Sequence, residues 1–132
     1  MVGRMMCPPG DDPRIPDAEH LYRGVLPNHF PGGRLSSLAF GSAKDTDISV
    51  DLGSKTTPEQ TLRRLSKSVG VVLLTARQAR GVPGVSGVIH DPSPDNDAHG
   101  EITRAAGVNN SQWKTVCREL AMLARWAIYP TV

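Results

Sequence analysis

The chain has 132 residues, of which 39% are hydrophobic and 5% are aromatic, and its formal net charge is +2 at neutral pH. This length fits a single domain with one hydrophobic core, which must be built mainly from aliphatic side chains. The small net charge does not by itself indicate a nucleic-acid partner.

Proline-rich sequence opens the chain. Because the first sixteen residues include four prolines, which exclude a helix or a central strand, we expect a flexible leader over residues 1–16. A strand is predicted at His20–Leu26, and a loop follows over Pro27–Gly33. Two further strands are predicted at Leu35–Phe40 and Asp47–Leu52, the second from alternating apolar and polar residues.

The first predicted helix has clear signals at its start. Thr57 can cap it, Pro58 suits the first helical position, and Gln60 can complete a capping box. Leucine and valine at helical spacing extend this helix until Gly70, which ends it.

Short elements make up the middle of the chain. Val71–Leu74 is a predicted buried strand, and Thr75 can cap a second short helix that ends at Arg80. Val85–His90 and His99–Arg104 are predicted strands on either side of a polar turn.

The longest predicted helix begins at Asn110 or Ser111 and runs to about Ala127, because apolar residues recur there at helical spacing. The element order lacks regular alternation of strands and helices. We therefore predict an α+β fold with a mixed or antiparallel sheet, an N-terminal strand group, two short helices, and a long C-terminal helix packed on one face. A single domain is expected over residues 17–132.

The number of cysteines and the lengths of the apolar runs allow the cellular compartment and membrane association to be predicted. Two cysteines, Cys7 and Cys117, cannot form a disulfide scaffold, so a reducing compartment is the default expectation. The longest aliphatic run, Val71–Leu74, is too short to cross a membrane. We predict a cytoplasmic protein with no membrane association and no cofactor.

The stretch from His90 to Glu101 is the strongest candidate site. Alternation along a strand places His99 and Glu101 on one face, and a hairpin would bring His90 near His99. Such a group can act as a base with an orienting partner, with Asp91 and Asn96 as ligand-binding residues. The histidine spacing matches no standard zinc motif, so no metal site is predicted. The alternative is an ordinary polar turn flanked by histidines.

Three short motifs resemble those of the arginine–serine–glutamate ADP-ribosyltransferases. They are the aromatic-Arg-Gly sequence at 22–24, the serine pair Ser36-Ser37, and Glu101. The resemblance implies that Arg23, Ser36 and Ser37 hold a dinucleotide and that Glu101 positions the nucleophile. The alternative is that these residues are ordinary members of strands.

A second resemblance covers most of the chain after residue 20. It is to small uncharacterised bacterial proteins encoded on mobile elements, and it implies no activity. The stretches that carry it are residues 21–23, 36–40, 48–51, 91–94, 98–99 and 124–126.

Basic residues are concentrated between positions 63 and 80. The set consists of Arg63, Arg64, Lys67, Arg77 and Arg80. Such a cluster suits phosphate oxygens. No aromatic residues are interleaved with it for base stacking, so nucleic-acid binding is the less favoured interpretation, and a solvated helix face is favoured.

Our leading prediction is a small binding or interaction protein that forms a homodimer. On the predicted long helix, Trp113 and Trp126 are separated by about 220°, so a sheet cannot cover both. Exposed aromatic surface is enriched in interfaces, and twofold dimers are the commonest assembly. The alternative function is an enzyme or ligand-binding site built on His90, His99 and Glu101, with ADP-ribosyl transfer as the enzyme class.

Overall fold

The computed structural model describes residues 10–41 and 46–130. In these ranges six strands form one sheet: β1 (His20–Val25), β2 (Ile48–Leu52), β3 (Gly70–Thr75), β4 (Val85–His90), β5 (His99–Arg104) and β6 (Arg125–Ile128). Their order across the sheet is β4-β5-β2-β1-β3-β6, and every neighbouring pair is antiparallel. The predicted α+β class is confirmed, with an antiparallel sheet.

Helices occupy the connections between strands. The α-helices of the described chain are α1 (Pro58–Arg64), α2 (Ala76–Arg80) and α3 (Asn110–Leu123). Thr57, Thr75 and Asn109 cap them, each accepting a hydrogen bond from the backbone N–H three residues later. The β1–β2 connection contains short 3-10 helices at Pro27–His29, Pro31–Gly33 and Ser37–Phe40.

The hydrophobic core lies on one face of the sheet, where α3 and the 3-10 helix Ser37–Phe40 pack together. Alternate strand residues point into this core. They include Leu21, Val25, Ile48, Leu52, Val72, Leu74, Val88 and Ile102. From α3 the buried residues are Trp113, Val116, Cys117 and Leu120, as the helical spacing predicted. We call this side of the sheet the core face.

The opposite side of the sheet, which we call the polar face, carries α1. The segment after this helix passes so close to β1 that a Cβ at Gly24 would lie 2.6 Å from both Leu65 Cδ1 and Ser68 Oγ. A larger residue at Gly24 would therefore displace the side chains of Leu65 and Ser68. Asp51, His99 and Glu101 also lie on the polar face, because they occupy the strand positions between core residues.

The predicted strand Leu35–Phe40 and the predicted end of the first helix are both wrong. Residues 37–40 form a 3-10 helix rather than a strand, because Ser36 Oγ accepts the backbone N–H of Leu38 and turns the chain. Helix α1 ends at Arg64, short of the predicted end at Gly70, which leaves Leu65 46% exposed. The side chain of Gln60 bonds to Thr56 Oγ1 instead of completing a capping box.

The predicted C-terminal helix is too long. The chain leaves the helix at Ala124, which has extended backbone angles, and Arg125–Ile128 pairs with β3 as an edge strand. Trp126 is therefore not on the helix, and it packs edge-on against Phe30 with ring centroids 5.9 Å apart. Since Trp113 lies on α3 and Trp126 on β6, the two tryptophans are not on opposite sides of one helix. That argument for a dimer is wrong.

Part of the segment expected to be a flexible leader is docked on the domain. The backbone N–H of Asp12 donates to the Val88 carbonyl at 2.8 Å, and Asp11 Oδ1 accepts the Val88 N–H at 2.9 Å. Ile15 is 6% exposed and belongs to the core. The expectation is therefore corrected for residues 10–16, while residues 1–9 lie outside the described residues.

Arg80 anchors this docked segment. Its guanidinium donates to the carboxylates of Asp11 (3.0 Å) and Asp17 (2.8 Å). It also donates to the carbonyls of Asp12 and Ile15. The docking is thus stabilised by a side chain that the sequence placed in a basic surface cluster.

We expect Leu120→Ala to lower the free energy of unfolding by about 2–5 kcal/mol, because it removes a fully buried side chain between α3 and the sheet. The control Arg118→Ala, on the exposed side of the same helix, should change it by no more than about 0.5 kcal/mol. Urea unfolding measures both. Equal losses would contradict the assignment of the buried side.

Arg80→Met should lower the free energy of unfolding by about 1.5–3 kcal/mol, the usual range for lost hydrogen bonds to charged groups. It removes the anchor of residues 10–16, because Asp11, Asp17 and the carbonyls of Asp12 and Ile15 each lose the hydrogen bond that Arg80 donates. The matched control is Arg77→Met on the exposed side of α2. If both variants unfold at the same urea concentration, the docked segment contributes nothing to stability.

Candidate functional site

The two halves of the sheet meet at a narrow junction. Strands β1 and β2 share only the pairs Leu21↔Leu52 and Tyr22↔Asp51, whereas β1 pairs with β3 along its whole length. Beyond the second pair the strands separate, and the guanidinium of Arg23 spans the opening. It donates to the Ala39 and Ser49 carbonyls, each at 2.8 Å.

A buried carboxylate lies beside this junction. Asp51 is 7% exposed, and its Oδ2 accepts hydrogen bonds from Thr61 Oγ1 at 2.7 Å and from Arg64 Nη1. Its Oδ1 accepts from Asn96 Nδ2 at 2.8 Å. Strand β2, helix α1 and the 91–98 turn are therefore joined through one side chain.

A small cavity of about 120 Å³ opens next to Asp51, and we call it the junction cleft. Its polar lining includes Arg23, Ser49, Asp51, Arg64, Asn96 and His99. Gly24, Val50 and Leu65 supply apolar lining. Arg64 and Asn96 also border an open trough of about 440 Å³ between α1 and the 91–98 turn. The cleft and the trough are therefore adjacent.

His99 is held in one orientation at the cleft. Its Nδ1 lies 2.8 Å from the backbone carbonyl of Asp91 and 3.8 Å from the Asp91 carboxylate. A carbonyl oxygen only accepts hydrogen bonds, so Nδ1 carries a proton and donates. In the neutral imidazole, Nε2 is then the nitrogen that can accept a hydrogen bond from a ligand.

His90 does not lie beside His99 and Glu101, contrary to the expectation that a hairpin would bring it near His99. In the β4–β5 register His90 is opposite Gly100, which places its side chain on the core face, while His99 and Glu101 are on the polar face. The ring Nε2 of His90 donates to the Asp97 carbonyl at 2.6 Å. Both histidines thus stabilise the turn, as the alternative interpretation proposed.

Glu101 lies one position further along the polar face and does not line the cleft. Burial raises the pKa of its carboxyl group, and the negative charges of Asp47 and Asp91 raise it further, while His99 lowers it. The ionised form of Glu101 therefore costs stability in the folded protein.

The two serines of the predicted dinucleotide motif, Ser36 and Ser37, form the start of a 3-10 helix. Ser36 Oγ caps the 3-10 helix, and Ser37 is the first residue of that helix. The structure thus brings some of the residues proposed from the sequence to one cleft and leaves the others away from it. Lining the cleft are Arg23, Asn96 and His99. Not lining it are Ser36, Ser37, His90, Asp91 and Glu101.

Sequence reasoning missed the central residues Asp51 and Thr61, and it placed Arg64 in the basic cluster rather than beside a carboxylate. Asp51 alternates with apolar residues in β2, a pattern typical of a solvated strand face, so nothing in the sequence marked it as buried. Thr61 and Arg64 are three apart on a helix and share one side, but only the tertiary structure shows what that side contacts.

Some members of the predicted basic cluster form ion pairs, and others are exposed to solvent. Arg64 is bound to Asp51, and Arg80 is bound to the segment around Asp11. Arg63, Lys67 and Arg77 are exposed. Two of the five cations are thus already neutralised by carboxylates, which further weakens the nucleic-acid hypothesis.

Within residues 10–41 and 46–130, no three histidine, cysteine or acidic side chains are grouped closely enough to hold a metal ion. No helix there has the length and apolar character needed to cross a bilayer.

A second surface feature lies at the β6 edge of the sheet. Trp126 contacts Phe30 edge-on and stacks on Tyr129 with ring centroids 5.7 Å apart, and Tyr129 is 72% exposed. We call these three residues the aromatic patch. It holds one of the two phenylalanines, one of the two tryptophans and one of the two tyrosines of the chain.

No protein-family model, curated protein or solved structure matches this chain. The two resemblances noted from the sequence therefore stay predictions, and function must be argued from the residues themselves.

Glu101→Gln should raise the melting temperature at neutral pH, because it removes a carboxylate whose ionisation the folded state disfavours. A raised folded-state pKa costs stability only where the carboxylate ionises, so the gain should vanish below about pH 4. Thermal melts of both proteins between about pH 4 and pH 7 measure it. Glu119→Gln on the exposed side of α3 is the control, and an equal, pH-independent shift in both would refute the prediction.

Proposed function

We propose that this chain is a small interaction protein that pairs with a second copy of itself through strand β6. The observation that carries the proposal is the contrast between the two edges of the sheet. At β4, Val88 forms backbone and side-chain hydrogen bonds with Asp11 and Asp12. At β6, no backbone hydrogen bond joins the outer edge to any part of the described chain.

An uncovered strand edge is a template for pairing with another chain, and proteins usually cover such edges or blunt them. Here one edge is covered by the N-terminal segment, while the other is uncovered within the described residues and borders the aromatic patch. Exposed aromatic side chains are enriched in the centres of protein interfaces. Backbone pairing and aromatic contact are therefore available on the same surface.

The geometry of an antiparallel edge favours a second copy as the partner. A twofold axis perpendicular to the sheet pairs an edge strand antiparallel with itself, which makes a closed dimer. With Ala127 on that axis, Arg125 of one copy is opposite Tyr129 of the other. Both side chains are exposed, and a guanidinium over a tyrosine ring is a favourable cation–π contact.

The expected dimer is weak and reversible. Strand β6 has four residues, it is followed closely by Pro130, and its pairing with β3 is irregular at Val71/Val72. These features limit the length of an intermolecular ladder and guard against open-ended aggregation. We therefore expect dissociation in the micromolar range, as for small transient interfaces.

A reducing, cytoplasmic compartment is part of this proposal. The Sγ of Cys117 is 3.6 Å from the Phe40 carbonyl, to which it donates a hydrogen bond, as only a thiol can. Thiols persist in the cytosol, where disulfides are rare.

Tyr129→Lys should raise the dissociation constant of the dimer at least about tenfold, because it replaces the exposed ring with a cation opposite Arg125 of the other copy. The matched control is Met122→Lys, since Met122 is 74% exposed and lies on α3 rather than on β6. Sedimentation equilibrium across the micromolar range measures both.

The wild-type mass should rise with concentration from 14.2 kDa towards twice that value, and the control should follow it. A constant monomer mass for the wild type would overturn the proposal. An equal effect of both variants would overturn the assignment of β6.

A further inference from the structure

The junction cleft has a charge balance that suits a monoanion. Two guanidinium groups, from Arg23 and Arg64, and one carboxylate, from Asp51, line it. The three groups leave one net positive charge. In the adjoining trough, Lys55 and Arg63 are balanced by Asp95 and Asp97, so apart from the shared Arg64 it adds no net charge. A ligand with a single negative charge would neutralise the cleft.

Arg64 is prepared to bind a second carboxylate. Within the described residues it donates only from Nη1, to Asp51, which leaves its remaining N–H groups for a ligand. Its side chain is 32% exposed at the boundary between the cleft and the trough. A planar guanidinium that is already oriented binds a carboxylate with two parallel hydrogen bonds and little further loss of entropy.

His99 supplies an acceptor in the same cavity. Because its Nδ1 donates to the Asp91 carbonyl, the neutral ring has an unshared pair on Nε2. A ligand that carries a hydroxyl group can donate to this nitrogen. A carboxylate alone cannot, since it has no proton to donate.

The size and the apolar lining of the cleft restrict the rest of the ligand. A cavity of roughly 150 Å³ binds the six carbon atoms of benzene, so one of about 120 Å³ encloses roughly five non-hydrogen atoms. Leu65, which lies on the polar face, offers apolar contact for a short carbon chain. Inorganic phosphate has no carbon chain to fill this space, and its second negative charge exceeds the charge of the cleft.

We propose that the junction cleft binds a small hydroxycarboxylic acid. Arg64 holds the carboxylate, the hydroxyl group donates to Nε2 of His99, and the carbon chain packs on Leu65. The ligand enters from the trough, which shares Arg64 and Asn96 with the cleft. This binding does not depend on the proposed pairing at β6.

Three ligands of similar size separate the contributions of the two polar groups. Racemic lactate carries both the carboxylate and the hydroxyl, propionate lacks the hydroxyl, and lactamide lacks the charge. By titration calorimetry or NMR titration of the full chain, we expect propionate to bind about 3–10-fold more weakly than lactate, the usual effect of one neutral hydrogen bond. Lactamide should bind at least about tenfold more weakly than lactate.

Variants then assign the two contacts. His99→Asn keeps an N–H at the position of Nδ1 for the Asp91 carbonyl and removes Nε2, so lactate should bind like propionate while propionate is unchanged. Arg64→Lys keeps a cation beside Asp51 and removes the planar fork, so both acids should weaken about tenfold. The matched control is Arg63→Lys, which borders the trough but not the cleft and should leave lactate affinity unchanged.

Thermal melts confirm that each variant is folded before it is titrated. The proposal is overturned if lactate does not bind the wild type, if lactamide binds as tightly as lactate, or if phosphate binds more tightly. It is also overturned if Arg63→Lys weakens lactate as much as Arg64→Lys, because the ligand would then occupy the trough. If His99→Asn binds lactate as tightly as the wild type, the ligand's hydroxyl group does not contact His99, and the proposed ligand class is wrong.

Discussion

A carboxylate taken out of water must be matched by donors, and the arrangement around Asp51 follows from that requirement. Burying an unpaired charge lowers the free energy of unfolding by several kcal/mol. The fold must therefore position hydrogen-bond donors around the carboxylate. Thr61 and Arg64 bring helix α1 to the polar face, and Asn96 brings the 91–98 turn. Because Asp51 also belongs to one of the two residue pairs that join β1 to β2, the same side chain lies where the two halves of the sheet meet.

Helix starts and most strands were accessible from the sequence because their signals are local. A threonine cap followed by proline, or an alternation of apolar residues, acts within a few positions and predicts α1, β2 and β3 well. Strand β6 was missed because Trp126 and Ala127 continue the helical spacing of α3, while the hydrogen bonds that extend the chain come from β3. Residues 37–40 were missed because one serine side chain turns an apolar run into a 3-10 helix.

The candidate site was only partly predictable because strand register decides which side chains meet. A shift of one residue in an antiparallel pair moves a side chain to the other face. His90 is opposite Gly100 rather than His99. This offset of one residue places the two histidine side chains on opposite faces of the sheet. Arg23 and Asn96 were proposed for other reasons and do line the cleft. Asp51 was not proposed, because a polar residue that alternates with apolar ones in a strand is expected to face solvent. Only the packing of α1 over it shows that it is buried.

The covering of strand β4 also has a consequence for how the chain folds. Thr103 in β5 donates to the carbonyls of both Gly10 and Gly87, so the docked segment depends on a strand more than ninety residues away. Closing so long a loop is slow compared with forming the β4–β5 hairpin, whose partners are close in sequence. During that interval the outer edge of β4 is exposed and can recruit another chain. Aggregation during refolding should therefore start at β4, the edge that the finished protein covers.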